Sequence, residues 1–196
     1  MSKKKPKIKS IGLIVEDNSD FISFKKLISR IIEKDNLPFK KAIGGGCGKM
    51  KRKAVSYASN LSKKGCDLII LAHDLDRNDA NKLSKELTLL MTASPARYNF
   101  VCIPIEEIEG WFLSDPEGIK QVFNLSRQPK IKGNPETIAS PKEKLEEYIY
   151  QCSNKSKIYL NTKHNDQLSE SLCIEKMKTK CKSFAELYNH VKLYQY

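Results

Sequence analysis

The sequence has no long apolar stretch. Its uninterrupted apolar runs are only a handful of residues, whereas a transmembrane helix needs about 20. A transmembrane helix is therefore excluded, and we expect no membrane partner. The overall composition, 40% hydrophobic and 30% charged over 196 residues, is typical of a globular protein. This length suffices for one well-packed domain and is short for two.

Paired cysteines are also missing. Six cysteines are scattered along the chain and no two form a C-x-x-C pair, which disfavours a structural zinc site. A disulfide framework would need a denser arrangement in a shorter chain. Basic residues precede the short apolar run 11–15, so the first residues do not have the pattern of a secretory signal. We expect reduced thiols in a cytoplasmic protein.

Several common catalytic motifs are absent. The Gly44–Gly48 segment is one residue too short for a Walker A loop, and Met50 stands where that loop needs Ser or Thr. No G-x-G-x-x-G follows the first predicted strand, which disfavours a dinucleotide-binding enzyme. The three histidines have no convincing Ser or Cys partner. Nucleotide hydrolysis and nucleophilic catalysis are therefore poorly supported.

The sequence does carry a large excess of positive charge. The formal net charge is +12, and a protein this basic commonly binds a polyanion. Two acid-free segments hold almost all of the excess. Residues 1–9 contain five lysines and are expected to form a disordered basic arm. The second segment surrounds Gly44–Gly48, and we predict a flexible loop that binds nucleic acid, with a plain flexible loop as the alternative. Its basic residues are Lys40, Lys41, Lys49, Lys51, Arg52 and Lys53.

The apolar pattern predicts the fold class. Short apolar runs alternate with amphipathic stretches of helical period, which is typical of a Rossmann-like α/β domain. We expect a mainly parallel sheet with helices on both faces over residues 10–125. The predicted strands are 10–15, 38–43, 67–72 and 98–104, and the predicted helices between and after them are 18–34, 49–64, 79–92 and 106–113.

The character of the sequence changes after about residue 124. Residues 126–142 are rich in Pro, Lys, Ser and Asn and are predicted to be a long loop. Helices are predicted at 142–151, 166–180 and 183–193. Because this part has few apolar positions, residues 126–196 are expected to pack on the same domain as a mostly helical extension.

Acidic residues follow the predicted strands. Glu16 ends the first strand, Asp74 and Asp76 end the third, and Glu109 comes soon after the fourth. Asp20 lies four residues after Glu16, on the first turn of the next helix. The carboxyl ends of parallel strands meet at one edge of a sheet, so these acids should lie close together. Such carboxylates suit a hard divalent cation, whereas the alternative for Asp74 and Asp76 is a helix cap and a solvated turn.

The segments Glu16–Asp20 and Asp74–Asp76, each after a strand, together resemble a Toprim domain, the α/β module of topoisomerases, primases and OLD-family nucleases. The one departure is Asp17, where Gly is usual. The resemblance implies a site for Mg²⁺ or Mn²⁺ with ligands Glu16, Asp20, Asp74 and Asp76.

A closer resemblance covers nearly the whole chain. Residues 109–115, followed by 159–164 and 180–184, are similar to a Toprim-like bacterial family of unknown function that is often encoded beside ATPases. This similarity implies a catalytic site of Glu16, Asp74, Asp76, Glu109 and Lys163, with Lys163 near the phosphate. His164 either assists or faces solvent. Trp111 is expected in the core.

These features lead to one main functional hypothesis and two others. The main hypothesis is a metal-dependent nuclease that hydrolyses phosphodiesters of DNA or RNA; the resemblance adds an ATPase partner and an effector role in anti-phage defence. The alternative is a non-catalytic module that binds nucleic acid or an ATPase. A receiver-like signalling domain fits poorly, because it needs an isolated Asp after the third strand, where this chain has Asp74 and Asp76. Homo-oligomerisation stays open.

Overall fold

The computed structural model describes residues 5–196. Its centre is a sheet of four parallel strands in the order β2-β1-β3-β4, which confirms the predicted α/β class. Each strand has five residues. Their bounds are β1 Ile11–Val15, β2 Phe39–Ile43, β3 Leu68–Ala72 and β4 Tyr98–Cys102.

Helices connect the strands and then make up most of the rest of the chain. Two of them, α2 and α3, cover one face of the sheet, and the others gather on the opposite face. Their bounds are α1 Asn18–Ile32, α2 Cys47–Lys63, α3 Ala80–Met91, α4 Glu109–Phe112, α5 Pro116–Phe123, α6 Pro141–Cys152, α7 Asn161–Ser171, α8 Ile174–Lys180 and α9 Lys182–Val191. A 3₁₀ turn, Pro135–Thr137, precedes α6.

The two central strands are buried on both faces, which explains why they are apolar throughout. In β1, Leu13 and Val15 pack with α1 and the C-terminal helices, whereas Ile14 packs with α2 and α3. Trp111 is fully buried in the first of these layers, with its ring edge-to-face against Phe24 and Phe184. Helices α6 to α9 thus share one core with β1 and α1.

The C-terminal helices differ in detail from the prediction. The expected helix at 166–180 is two helices, because Leu172 and Cys173 are extended. Arg30 donates hydrogen bonds to the carbonyls of Ser169 (2.6 Å) and Leu172 (2.7 Å). Asp115 accepts one from the Cys173 amide (3.0 Å). These partners come from distant parts of the chain and hold the break. Helix α5, which the apolar pattern did not indicate, begins after Asp115 as its N-cap.

The basic N-terminal segment is ordered where the structure describes it. Lys3 and Lys4 lie outside the described residues. The Ile8 amide donates to the Gln195 carbonyl (2.7 Å), and the Gln195 amide donates to the Pro6 carbonyl (2.9 Å). The Lys9 amide donates to Asp67 Oδ2 (2.8 Å). The prediction of a disordered arm is therefore wrong for residues 5–9, because backbone pairing with the C-terminal segment holds them. Within residues 5–196, none of the helices combines the length and apolarity needed to cross a membrane.

Candidate active site: an acidic cleft at the carboxyl edge of the sheet

The strand order places the carboxyl ends of β1 and β3 side by side. The chain leaves these two strands toward opposite sides of the sheet, and open α/β sheets bind ligands at such a switch point. A cleft of about 230 Å³ opens there. The five acids predicted from strand ends, Glu109 included, all line it. Its full lining is Glu16, Asp17, Asp20, Asp74, Asp76, Glu107, Glu109, Lys142 and Asn161.

The first turn of α1 fixes Asp20 at the cleft. Asp17 is the N-cap, and its Oδ1 accepts a hydrogen bond from the Asp20 amide (3.0 Å). Asp20 Oδ2 accepts one from the Asp17 amide (3.3 Å), which completes a reciprocal capping box. Asp17 has extended backbone (φ −137°), so this position does not need glycine. The departure from the Toprim pattern therefore leaves the turn intact.

The segment after β3 directs two carboxylates to the same side. Leu75 is buried against α2 and α3, while its neighbours Asp74 and Asp76 line the cleft. Asp76 and Arg77 then adopt left-handed backbone conformations (φ 48° and 60°). The side-chain amide of Asn78 donates to the Leu75 carbonyl (2.7 Å), which holds this turn. Non-glycine residues in this region store strain, a feature that clusters at functional sites.

Glu109 is held by residues from the C-terminal region. Its side chain is 4% exposed. The Tyr159 phenol donates to Glu109 Oε1 (2.6 Å), and Asn165 Nδ2 donates to the same oxygen (3.1 Å). Burial and the Glu109 charge raise the pKa of Tyr159, so its proton stays on the phenol. Neither role followed from the sequence, because the partners are 50 and 56 residues apart and no local pattern links them.

The cleft holds uncompensated negative charge. Burial, then the neighbouring Asp17 carboxylate, raises the pKa of Asp20 to about 7. Burial, then the charges of Asp20 and Glu109, raises the pKa of Asp74 well above its usual range. Of the side chains that line the cleft, Lys142 is the one cation. Repulsion of this kind is relieved by a bound cation.

The donor set suits a hard divalent cation in its chemistry, because carboxylate oxygens dominate the lining. The carboxylates do not form a closed coordination group, however. Within residues 5–196, no three His, Cys, Asp or Glu side chains are arranged so that they could hold a metal ion. The cleft is therefore rich in carboxylate oxygens but is not a preformed metal cage.

The glycine segment is a short hydrogen-bonded turn beside the cleft, whereas the sequence predicted a flexible loop. Nucleic-acid binding by its basic residues stays a prediction. The amides of Gly44 and Gly45 donate to the carbonyls of Val15 (2.8 Å) and Glu16 (2.9 Å). Helix α2 begins at Cys47, whose thiol donates to Glu16 Oε2 (3.1 Å). Burial, then Glu16 and Asp76, raises the pKa of this thiol. The amides of Gly44 and Gly45 thus bond to the end of β1 and are not free for a phosphate.

The six basic residues around this turn divide into two groups. Three make internal contacts. Lys40 bonds to the Lys64 carbonyl, Lys41 bonds to Asn18 Oδ1, and Lys51 pairs with Glu86 at 2.6 Å. Lys49, Arg52 and Lys53 are exposed on the first turns of α2. Only this second group is available to a ligand without breaking a contact.

The cleft lining includes neither Lys163, which the resemblance implies near the phosphate, nor His164. Lys163 is exposed on the first turn of α7. In this turn, Asn161 is the residue that lines the cleft. His164 Nδ1 accepts a hydrogen bond from the Leu160 amide (2.9 Å), and its ring lies beside Phe123. The cation that lines the cleft is Lys142, at the start of α6, which the sequence did not single out.

The fold and the site together define a class: an all-parallel α/β protein with an acidic cleft at the switch point of its sheet. Residues 15–192 match the family described as a domain of unknown function, DUF4276, and the chain belongs to that family. No curated protein and no solved structure matches the chain significantly. The family description names no activity, so a function has to be argued from the site.

Proposed function

We propose that this protein is a divalent-metal-dependent nuclease that hydrolyses phosphodiester bonds of DNA or RNA. The observation that carries the proposal is the convergence of carboxylates from β1, β3 and the segment after β4 on one cleft at the switch point. The raised pKa values of Asp20 and Asp74 reflect burial first and then repulsion among carboxylates, which outnumber Lys142, the one cation in the lining. A bound metal would give these acids a common role.

Glu16, Asp20, Asp74 and Asp76 are the proposed ligands of Mg²⁺ or Mn²⁺. The metal, when bound, would supply Lewis acidity and an activated water for attack on phosphorus. Glu109 has a fixed carboxylate, which can accept a hydrogen bond from the attacking water and orient it. Lys142 supplies positive charge at the same cleft, and we assign it to the phosphate oxygens in place of Lys163.

The charge of the protein supports a polyanionic substrate. The acidic cleft would repel a nucleic acid, so cations beside it are needed to hold the backbone. Lys49, Arg52 and Lys53 are exposed on the first turns of α2, the helix whose first residue touches Glu16. The positive N-terminal end of this helix adds to their field.

The experiment is a cleavage assay on plasmid, single-stranded DNA and RNA with Mg²⁺ or Mn²⁺. We expect cleavage by the wild type and none by Asp74→Ala/Asp76→Ala. The control Asp35→Ala/Glu146→Ala removes two exposed acids that line no part of the cleft, and it should cut normally. Full activity of Asp74→Ala/Asp76→Ala would disprove the assignment. So would a lack of cleavage by the wild type, tested both alone and with any ATPase that is encoded beside it.

A second candidate is a non-catalytic module that binds nucleic acid or an ATPase. It is favoured by the lack of a closed metal-binding group within residues 5–196 and by the position of Lys163 outside the cleft lining. Manganese titration separates the two candidates, because only the enzyme needs a site that Glu16→Gln weakens. The role in ATPase-linked anti-phage defence is a proposal that rests on the resemblance, and co-purification with an ATPase would test it.

A further inference from the structure

The edge of the sheet opposite the acidic cleft has the opposite charge. All four strands begin there, and the chain returns to this edge where α1, α2 and α9 end. Acids are few in these segments, chiefly Glu33, Asp35 and Asp67. The basic residues in the same segments include Lys5, Lys7, Lys9, Lys34, Lys63, Lys64, Arg97 and Lys192. The amino edge therefore carries an excess of basic residues, whereas the cleft at the carboxyl edge is lined mostly by acids.

A pocket of about 240 Å³ lies at this edge, where the end of α1 meets the N-terminal and C-terminal segments. Its lining combines three lysines with two tyrosines: Lys5, Lys34, Lys192, Tyr194 and Tyr196, with Ile32 beneath them. The Lys5 ammonium uses one donor on the Lys192 carbonyl (2.7 Å) and keeps two. Among residues 5–196, Lys34 makes no ion pair, and the acid facing Lys192 is Glu33 at 3.7 Å, a side chain that is 84% exposed. Ammonium donors are thus available at this pocket.

A row of aromatic rings borders the same pocket. The Tyr194 ring lies 5.0 Å from that of Tyr98 and 6.5 Å from that of Tyr196, centroid to centroid. The Arg97 guanidinium lies 5.2 Å from the Tyr98 ring. Surfaces that bind single-stranded nucleic acid combine these two elements, cations that follow the phosphates and aromatic rings on which bases stack.

We propose that this amino-edge surface, formed by Lys5, Lys34, Arg97, Lys192, Tyr194 and Tyr196, binds single-stranded polynucleotide. The lysines would contact phosphates and the tyrosines would stack on bases. Five-residue strands span about 17 Å, so this surface is well separated from the cleft, and binding needs neither a metal nor the cleft acids. The proposal stands apart from hydrolysis, because a protein that cuts nothing could still bind here. A membrane surface fits less well, because Leu193 is the one large exposed apolar side chain in this segment.

The test is fluorescence anisotropy of labelled oligothymidylate and oligouridylate of about 15 nucleotides, in EDTA. Lys5→Gln/Lys34→Gln/Lys192→Gln should weaken binding about tenfold at low salt and lower the slope of log Kd against log salt by about 2. The control Lys82→Gln/Lys85→Gln/Lys130→Gln removes the same charge from exposed positions on α3 and a loop, and it should leave the slope unchanged.

A second variant tests the tyrosines. Tyr194→Leu should weaken binding of oligothymidylate about fivefold and leave binding of an abasic oligomer of equal length unchanged, because only a base can stack. Tighter binding of either oligothymidylate or oligouridylate supports the proposal and identifies DNA or RNA as the preferred ligand. Equal losses in the two lysine variants, a requirement for Mn²⁺, or loss of binding in Asp74→Ala/Asp76→Ala would overturn it. Binding to anionic phospholipid vesicles without binding to the oligonucleotides would overturn it as well.

Discussion

The phenol of Tyr159 donates a hydrogen bond to Glu109 Oε1 at 2.6 Å, across 50 residues of sequence. This bond joins the segment before α7 to the acid on α4, and Asn165 on α7 adds a second donor to the same oxygen. The C-terminal helices are therefore part of the cleft's construction. They hold a carboxylate that would otherwise be free to turn away.

Removal of the phenol should weaken both the fold and the site. Tyr159→Phe leaves the buried Glu109 carboxylate with Asn165 as its remaining partner, so we expect the free energy of unfolding to fall by about 1–3 kcal/mol. Urea denaturation measures this change. The control is Tyr150→Phe, since the Tyr150 ring is exposed and its phenol makes no hydrogen bond within residues 5–196. Equal stability of the two variants would show that the bond contributes nothing.

The raised pKa of Asp20 predicts a pH-dependent stability in the absence of metal. The folded-state pKa of about 7 exceeds the ordinary value of 3.8, so the folded protein binds this proton more tightly than the unfolded chain does. Its contribution to stability is present in acid and is lost as the pH rises from about 4 to 7. Asp20→Asn removes this loss. In EDTA, the free energy of unfolding of the variant minus that of the wild type should therefore increase as the pH rises from about 4 to 7.

The comparison with the wild type is needed because the titration of His190 changes the stability with pH in the opposite direction to that of Asp20. Burial lowers the pKa of His190 to about 4, so stability falls as the pH drops from 6.5 toward 4. This histidine is the same in both proteins, so the difference between them reports Asp20 together with its effect on the pKa of the neighbouring Asp74. Asp35→Asn is the control, because it makes the same substitution at an exposed acid outside the cleft. An Asp20→Asn curve parallel to that of the wild type would contradict the prediction.

The turn between β2 and α2 should tolerate no side chain at its first glycine. A Cβ at Gly44 would lie 2.5 Å from Met50 Cβ, which is closer than two non-bonded carbon atoms can approach. Gly44→Ala is therefore expected to lower the free energy of unfolding by about 1–3 kcal/mol. Gly48→Ala is the matched control, because its Cβ would meet nothing closer than 3.8 Å and alanine favours a helix. Thermal or urea denaturation of both variants checks this, and equal losses would refute the steric account.

The predictions from sequence succeeded where local pattern decides the structure. Apolar runs marked β1 and β3, and the acids that follow them line one cleft because parallel strands end at one edge. The prediction failed where distant residues decide. The break between α7 and α8 depends on Arg30 and Asp115, and the partners of Glu109 come from α7 and the segment before it. Contacts between residues far apart in the chain produce no periodic pattern in the sequence.

The basic residues show the same limit. A charged segment such as 40–53 can be read from sequence, but which lysines are engaged cannot. Lys51 meets Glu86 only because α2 packs beside α3. Lys163 lies in the segment that reaches the cleft, yet the side chain from that segment that lines it is Asn161. Side-chain direction on a short helix depends on where the helix begins, and α7 begins earlier than its apolar pattern predicted.

The most direct test of the acidic cleft is a measurement of Mn²⁺ binding. The electron paramagnetic resonance signal of the free ion gives the amount bound, and thermal unfolding gives the stability gained. We expect the wild type to deplete free Mn²⁺ and to gain about 2.7 kcal/mol of stability when the ion is at 100 times its Kd. Glu16→Gln and Asp74→Asn should lose most of both effects, and the control Asp35→Asn/Glu146→Gln should keep them. Absence of Mn²⁺ binding by the wild type, or equal stabilisation of cleft and control variants, would contradict a metal-dependent site while leaving oligonucleotide binding in EDTA to be judged separately.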